Sequence, residues 1–197
     1  ADGRARAFSI ANAPHDDALI ELHLRHVPGG RFTDHVFSQM QEKAILRIRA
    51  PLGTFVLRED SPRPMLFVAG GTGFAPIKGM IEHAFHVGID RPMHLYWGVR
   101  AERDLYMAEL PRQWATDHAN FRFAAVLSEP DEGWPGRRGL VHAAVLEDYP
   151  ALSGVDVYMA GPPVMIEAAR AGFTAAGLPL DRLYSDAFEY AKDPGKS

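Results

Sequence analysis

The chain has 197 residues, 47% of them apolar, with a formal net charge of −4 and no cysteine. This length is too great for one small domain and fits two modest ones. Because the sequence contains no basic tract, nucleic acid and anionic membrane are not expected as partners. Without cysteine, these residues form neither a disulfide framework nor an iron–sulfur or Cys-ligated zinc site. No apolar run reaches the length of a membrane span, and the composition favours a reducing, cytoplasmic location.

The first 60 residues have the alternating pattern of antiparallel strands. The stretches LIELHLR (19–25) and AILRIRA (44–50) alternate apolar and polar side chains, which is typical of half-buried strands. A short helix is predicted to begin at Thr33, between these two stretches. The stretch EDSPRP then ends this pattern, so a domain boundary is predicted near residue 61.

From residue 61 onward, strand-like and helix-like stretches alternate along the chain. Strands are predicted at 65–69, 94–99, 121–127, 155–160 and 183–185, and helices at 76–87, 104–116, 140–147 and 163–176. This βαβ alternation indicates a five-stranded parallel sheet with helices on both faces, which is an α/β fold.

A glycine-rich turn lies between the first predicted strand and helix of this α/β region, in FVAGGTGFAPIKGMIEHAF (67–85). It is not a Walker A loop, because Lys78 precedes Gly79 and no Ser or Thr follows. The dinucleotide fingerprint matches at Gly71 and Gly73, but Pro76 replaces its third glycine. Small residues before a helix expose backbone N–H groups to an anion, although a plain strand-to-helix turn fits the sequence as well.

Two other kinds of chemistry have little support in the sequence. His83 and His86 form an H-x-x-H pair, but no carboxylate or cysteine cluster accompanies them, so no metal site is predicted. The G-x-S-x-G turn of serine hydrolases is absent from the sequence.

Four further motifs surround the glycine turn in order: RAFS (6–9), GGRFT (29–33), YMAGPPVM (158–165) and YSDAF (184–188). Together the five motifs resemble the ferredoxin–NADP reductase superfamily, and most closely the reductase components of oxygenases and deoxysugar-forming systems and the NAD(P)H:flavin oxidoreductases. The resemblance implies a partial antiparallel β-barrel for FAD over residues 1–60, with its first strands missing. An α/β NAD(P)-binding domain is implied over 61–197.

The resemblance also implies which residues bind the flavin. It places the Ser9 hydroxyl near flavin N5 and the Phe188 ring beside the isoalloxazine, so both are predicted catalytic residues. The GGRFT turn is implied to hold the flavin pyrophosphate, which favours tightly bound FAD over free flavin. His23 and Arg25 are either cofactor contacts or a solvated strand face. The full implied set is Arg6, Phe8, Ser9, His23, Arg25, Gly29, Gly30, Arg31, Phe32, Thr33, Asp186 and Phe188.

A second implied set of residues binds the nicotinamide nucleotide: Gly70, Gly71, Thr72, Gly73, Pro76, Gly98, Arg100, Ser128, Glu129, Gly161, Pro162 and Met165. Ala160 stands where many members of the superfamily have cysteine. The Glu129 carboxylate is predicted to accept from the ribose hydroxyls and to repel a 2′-phosphate, which favours NADH over NADPH. Arg137 and Arg138 are a rival phosphate clamp, so NADPH remains an alternative donor.

The implied function is hydride transfer from NAD(P)H to FAD, followed by electron transfer to an iron–sulfur acceptor. That acceptor is either a fused upstream domain or a separate protein, because this chain has no cysteine. Two alternatives stay open at this point. One is an NAD(P)H:flavin oxidoreductase that reduces free flavin, and the other is a non-catalytic nucleotide-binding module.

Overall fold

A parallel β-sheet with helices on both faces forms most of the molecule. The computed structural model describes residues 5–187. Its helices are α1 (Arg31–Ser38), α2 (Phe74–His86), α3 (Glu109–Asp117), α4 (Val141–Asp148) and α5 (Pro163–Ala175). Its strands are β1 (Met65–Gly70), β2 (Met93–Val99), β3 (Phe121–Leu127), β4 (Arg137–Arg138), β5 (Asp156–Gly161) and β6 (Leu183–Ala187). Within the described residues, no helix has both the length and the apolar character needed to cross a membrane.

The strand order is β4-β3-β2-β1-β5-β6, and every neighbouring pair is parallel. The chain therefore extends the sheet in one direction from β1 to β4 and then in the other direction through β5 and β6. In open α/β sheets, the crevice outside the carboxyl ends of the strands at this reversal is where ligands bind. The fold thus places the candidate site at the ends of β1 and β5.

The two central strands are buried along their whole length because helices cover both sheet faces. Every residue of β1 and β5 is buried. One face packs on α2 and α3 through side chains such as Phe67 and Ile77, and the other packs on α4 and α5 through Val68 and Phe173. Continuous apolar runs are typical of such doubly covered parallel strands.

The α/β class and all five predicted strands are confirmed, but the sheet has a sixth strand. Strand β4 contains only Arg137 and Arg138, which pair with Val126 and Leu127 of β3. The prediction of five strands was wrong because two consecutive arginines give no hydrophobic pattern for a strand. Helix α3 also begins later than predicted, after a short 3-10 turn at Glu102–Asp104.

The N-terminal region, residues 5–60, has little regular structure. It contains α1 and a single antiparallel bridge between Ile10 and Leu22. The two strands predicted at 19–25 and 44–50 are not formed as regular strands. A strand needs a neighbour for its backbone N–H and C=O groups, and only this bridge pairs strand-like backbone within residues 5–60.

The N-terminal region nevertheless packs closely on helix α2. Ala11 and Ala13 are buried, and a Cβ atom at Gly79 would lie 3.0 Å from the Asn12 carbonyl oxygen. Farther along, the backbone N–H of Arg58 donates to the Tyr158 hydroxyl at 3.1 Å. These contacts fix residues 5–60 against the sheet, while the exact domain boundary near residue 61 stays a prediction.

Candidate active site

Glycines allow the loops after β1 and β5 to lie directly against each other. A Cβ atom at Gly73 would lie 2.0 Å from the Ala160 carbonyl oxygen, and one at Gly70 would lie 2.6 Å from the Met165 sulfur. Gly71 has a φ of +55°, a conformation that favours glycine, and a Cβ atom there would meet nothing within 4 Å. The turn at Gly70–Gly73 is therefore tightly packed on the side that faces the loop after β5, and it is open on the side of Gly71.

The open side of this loop is suited to an anion. The 3-10 turn Gly71–Gly73 continues directly into α2, and the Phe74 N–H already donates to carbonyl oxygens of this turn. The N–H groups at the beginning of the turn come before any helical acceptor, so they are the ones available to an anion. The partial positive charge at this helix end adds to the attraction. Pro76 lies in the first turn, where its missing N–H costs no helical hydrogen bond. The arrangement suits an anion such as a pyrophosphate, and binding of the nicotinamide dinucleotide at this turn, which the family resemblance implies, stays a prediction.

The loops after β2 and β3 contribute an exposed ion pair at the same edge of the sheet. The Arg100 guanidinium donates to both Glu129 carboxylate oxygens, at 2.9 and 3.0 Å, with side chains 65% and 61% exposed. The backbone supports this pair, since Glu129 N donates to Arg100 O at 2.8 Å and Ser128 N donates to Val99 O at 3.0 Å. Gly98, in β2, allows close packing of Val141 at the start of α4.

The two arginines of β4 are held by protein acceptors. Arg137 donates to the Ala144 carbonyl at 3.1 Å and to the Glu147 carboxylate at 3.2 Å. Arg138 donates to three backbone carbonyls of the 131–134 turn, at 2.9 to 3.1 Å. Because these guanidinium groups already have several protein partners, the structure gives no support to a phosphate clamp at Arg137 and Arg138. Ribose recognition by Glu129 stays a prediction.

Three of the predicted flavin motifs meet in space. Ser9 Oγ donates to Asp186 Oδ2 at 2.8 Å, although 177 residues separate them. The ring centroids of Phe8 and Phe32 lie 5.3 Å apart. We call Phe8, Ser9, Phe32 and Asp186 the flavin cluster. Its contacts bring the RAFS, GGRFT and YSDAF motifs to the carboxyl end of β6.

The GGRFT turn has the geometry of a compact loop before a helix. Gly29 has a φ of +80°, and a Cβ atom at Gly30 would lie 2.8 Å from Thr33 Oγ1. The Thr33 hydroxyl donates to the Val27 carbonyl at 3.0 Å and accepts from the Val27 N–H at 3.2 Å. Since no side chain caps α1, its first N–H groups suit the pyrophosphate of FAD.

The other predicted flavin residues have less informative positions. Arg6 donates to the Ala5 carbonyl at 3.2 Å, while Arg25 and Arg31 are exposed. Phe188 lies outside the described residues. The roles assigned to all four, and to the flavin cluster, stay predictions.

The sequence predictions missed a hydrogen-bonded group between the N-terminal region and α2. His23, predicted as a cofactor contact, lies between Glu21 and Tyr106, and Glu21 also contacts Lys78. The hydrogen bond from His23, helped by Lys78, lowers the pKa of the Glu21 carboxyl despite its partial burial. Burial alone would lower the pKa of Lys78, but the Glu82 and Glu21 carboxylates outweigh it and raise that pKa. A lysine among the apolar residues of the first two turns of α2 was the sequence signal for this group.

The two histidines of the H-x-x-H pair have separate partners. His83 Nε2 lies 2.8 Å from Glu59 Oε1, and the His86 ring stacks on His15 with centroids 3.8 Å apart. Among residues 5–187, no three His, Asp or Glu side chains are grouped so as to hold a metal ion.

Comparison with family models identifies both regions of the chain. Residues 67–171 match the model of the oxidoreductase NAD-binding domain, and residues 1–57 match that of the oxidoreductase FAD-binding domain. The chain belongs to the oxidoreductase NAD-binding domain family. The predicted pairing of an FAD-binding region with an NAD-binding region is therefore confirmed.

Individual relatives are similar over nearly the whole chain. A CDP-6-deoxy-L-threo-D-glycero-4-hexulose-3-dehydrase reductase of Yersinia pestis is 44% identical over 97% of this chain and 57% of its own length. The naphthalene 1,2-dioxygenase system ferredoxin–NAD(P)(+) reductase component of Pseudomonas putida is 38% identical over 93% of this chain and 56% of its own. The crystal structure of the Amycolatopsis reductase GcoB has a TM-score of 0.84 at 34% identity, over 95% of this chain and 57% of that one.

These similarities confirm the resemblance to the ferredoxin–NADP reductase superfamily that the five motifs indicated. The chain spans somewhat more than half the length of the curated relatives that it matches.

Proposed function

We propose that the protein is a flavoprotein reductase that takes hydride from NADH onto FAD and passes electrons to an iron–sulfur acceptor. The observation that carries this proposal is the closeness of the two candidate cofactor sites. Asp186 of the flavin cluster pairs in register with Ala160 of β5. Gly73 packs in turn against the Ala160 carbonyl oxygen. We call the glycine turn that contains it, Gly71–Gly73, the nucleotide loop. One strand therefore separates the two sites.

In this proposal the protein residues bind, orient and exclude water. The nicotinamide supplies a hydride and the flavin accepts it, so no side chain has to act as a general acid or base. The protein must hold the reacting atoms about 3–3.5 Å apart. The glycine loops around β1 and β5 position the nucleotide, while Phe8 and Phe32 offer aromatic surface to the flavin.

The relatives support the choice of acceptor. Two of them are named as the reductase of a dehydrase and the reductase of a dioxygenase system. Since the present chain has no cysteine, it cannot ligate an iron–sulfur cluster itself. The acceptor is therefore a fused domain or a separate protein, and we place the system in the cytoplasm.

The test uses protein produced from the complete gene. After desalting, the flavin is released by denaturation and identified by chromatography, and reduction by NADH is followed anaerobically in the visible spectrum. We expect FAD in a 1:1 ratio, reduction by NADH, and reoxidation by an added [2Fe–2S] ferredoxin. Colourless protein that reduces added FMN would instead support a free-flavin oxidoreductase. Colourless protein that binds NADH without reducing flavin would support a nucleotide-binding module.

A variant connects this activity to the flavin cluster. Replacement of Ser9 by alanine removes its hydrogen bond to Asp186, and we expect flavin reduction to slow by about tenfold. Ser153→Ala is the matched control, because Ser153 is exposed in the loop before β5. Equal rates in the two variants would remove Ser9 from the proposed site.

A further inference from the structure

A chain of hydrogen bonds joins the N-terminal region to the sheet beside the nucleotide loop. Tyr106 Oη lies 2.7 Å from His23 Nδ1, and His23 Nε2 lies 2.7 Å from Glu21 Oε1. The other Glu21 oxygen, Oε2, accepts from Lys78 Nζ at 3.2 Å. We call these four residues the polar chain. Glu21 is its central residue, with one carboxylate oxygen bonded to His23 and the other to Lys78.

The donors and acceptors of the polar chain follow from its chemistry. The pKa of Glu21 is lowered, chiefly by the hydrogen bond from His23, so its carboxylate is an acceptor. His23 Nε2 must then carry the hydrogen that faces Glu21. In the neutral imidazole, His23 Nδ1 accepts from the Tyr106 hydroxyl. Burial raises the pKa of Tyr106, which keeps that hydroxyl protonated.

Lys78 anchors the polar chain to helix α2. Its side chain is 7% exposed, and it also donates to Glu82 Oε2 at 2.9 Å and to the Ala11 carbonyl at 3.4 Å. Burying a charged group is costly, and apolar side chains would hold two surfaces together at least as well. We therefore interpret these polar contacts as fixing one relative placement of the two regions.

On the sheet side, the polar chain ends beside the nucleotide loop. The Tyr106 ring packs edge-on against Trp97 and Phe74, with centroids 5.2 and 6.3 Å away. Trp97 and Phe74 stack on each other at 4.1 Å. Trp97 Nε1 donates to the Gly71 carbonyl at 2.9 Å, which connects Tyr106 to the glycine turn through one side chain.

On the other side, the polar chain ends beside the flavin cluster. Leu22, next to His23, forms the antiparallel bridge with Ile10, and Ile10 follows Ser9. The bridge is extended by the hydrogen bond from Ala11 N to the Glu21 carbonyl, at 2.8 Å. A shift of His23 would therefore move the segment that carries Ser9.

We propose that Tyr106 and His23 are positioning residues that set the distance between the nucleotide loop and the flavin cluster. This inference rests on the proposed function, because it concerns how two cofactors are brought together. Neither residue has to touch the reacting atoms. A displacement of about 1 Å is enough to slow a reaction by up to a hundredfold when the geometry of approach decides the rate.

The test compares two tyrosine-to-phenylalanine variants of the protein from the complete gene. Tyr106→Phe keeps the ring that packs on Trp97 and removes only the hydroxyl. Tyr149→Phe is the matched control, because the Tyr149 hydroxyl also bonds a histidine, His94 Nδ1, at 3.1 Å. We expect single-turnover flavin reduction by NADH to slow about tenfold in Tyr106→Phe alone, with unchanged FAD content and unchanged Kd for NADH.

A second measurement does not depend on activity. Hydrogen exchange of residues 19–25 is expected to be faster in Tyr106→Phe than in Tyr149→Phe, with no change in β1 or β5. His23→Phe is expected to give the same changes, and the double variant to add nothing further. Equal rates and equal exchange in the two tyrosine variants would overturn the inference, as would a change in Kd alone. Wild-type protein without FAD would overturn the proposed function, whereas the exchange data would still test the polar chain.

Discussion

Strands β1 and β5 are buried at every residue, whereas the segment 44–50 leaves Ile45 99% and Ile48 54% exposed. Segment 44–50 is about as apolar as strands β1 and β5, but only β1 and β5 belong to a sheet. In the sheet region, each parallel strand has a hydrogen-bonded neighbour and each face has a covering helix. In residues 5–60, one isolated bridge is the only strand-like pairing.

This difference shows that a strand-like hydrophobic pattern is not sufficient for a strand to form. A pattern identifies side chains that favour burial, but a strand forms only when its backbone groups find partners. The N-terminal region instead depends on contacts with helix α2, through buried Ala11 and through Lys78. Its position relative to the sheet therefore rests on these contacts with α2 and on Phe55 and Leu57, which pack against the core of the sheet.

Amide hydrogen exchange on this 197-residue chain measures how much more stable the sheet region is than segment 44–50. We expect amides of β1 and β5 to open only with the whole fold, and those of 44–50 to open at almost no cost. The expected difference in opening free energy is about 5 kcal/mol or more, which is over a thousandfold in protection. The amides of β4, a two-residue edge strand, are expected to show intermediate protection and serve as an internal control. Equal protection of 44–50 and β1 would show that the segment is paired in solution.

The sequence predicted most of the sheet region because its strands are continuous apolar runs between glycines and prolines. Five of the six strands were predicted, although β6 (LYSDA) is a weaker example of this signal, and β4 was not predicted, since Arg137 and Arg138 carry no such pattern. In residues 5–60, alternation predicted strands at 19–25 and 44–50 that the described chain does not form. Local pattern contains no information on whether a pairing partner is present.

For the candidate site, the order of the family motifs correctly predicted that residues far apart in the sequence lie close together. The local hydrophobic pattern could not have predicted this. The contact between Ser9 and Asp186 joins two motifs at opposite ends of the chain, and both residues were in the predicted set. The polar chain was missed because its members come from three separate stretches without a shared motif. Only Lys78, a charged residue among the apolar residues of the first two turns of α2, gave a local sign of it.

The glycine loop allows a sharper test of the sheet region. Gly73→Ala would place a Cβ atom 2.0 Å from the Ala160 carbonyl oxygen, which is backbone and cannot move aside. We expect the free energy of unfolding to fall by about 3 kcal/mol or more, measured by urea titration with tryptophan fluorescence. Gly133→Ala is the control, since a Cβ atom there meets nothing within 4 Å. An unchanged midpoint for Gly73→Ala would mean that the two loops are farther apart than described.

The smallest expected effect concerns the choice of nucleotide at the edge of the sheet. Glu129 was predicted to repel the 2′-phosphate of NADPH, but the structure pairs it with Arg100. Since both side chains are more than half exposed, solvent and salt weaken each charge, and the pair is nearly neutral to an approaching phosphate. We therefore expect wild-type protein from the complete gene to prefer NADH by no more than about tenfold in kcat/KM.

Removal of Glu129 and removal of Arg100 should shift the preference for NADH in opposite directions. In Glu129→Gln the Arg100 charge is left uncompensated and should attract the 2′-phosphate, so the ratio of kcat/KM for NADH to that for NADPH falls about tenfold. In Arg100→Gln the free carboxylate should repel the phosphate, so the same ratio rises. Glu109→Gln is the control, because Glu109 is an exposed carboxylate that pairs with Arg112 on α3, outside the predicted nucleotide site. If both site variants move the ratio in the same direction, the effect comes from disturbed loops, and Glu129 does not read the ribose by charge.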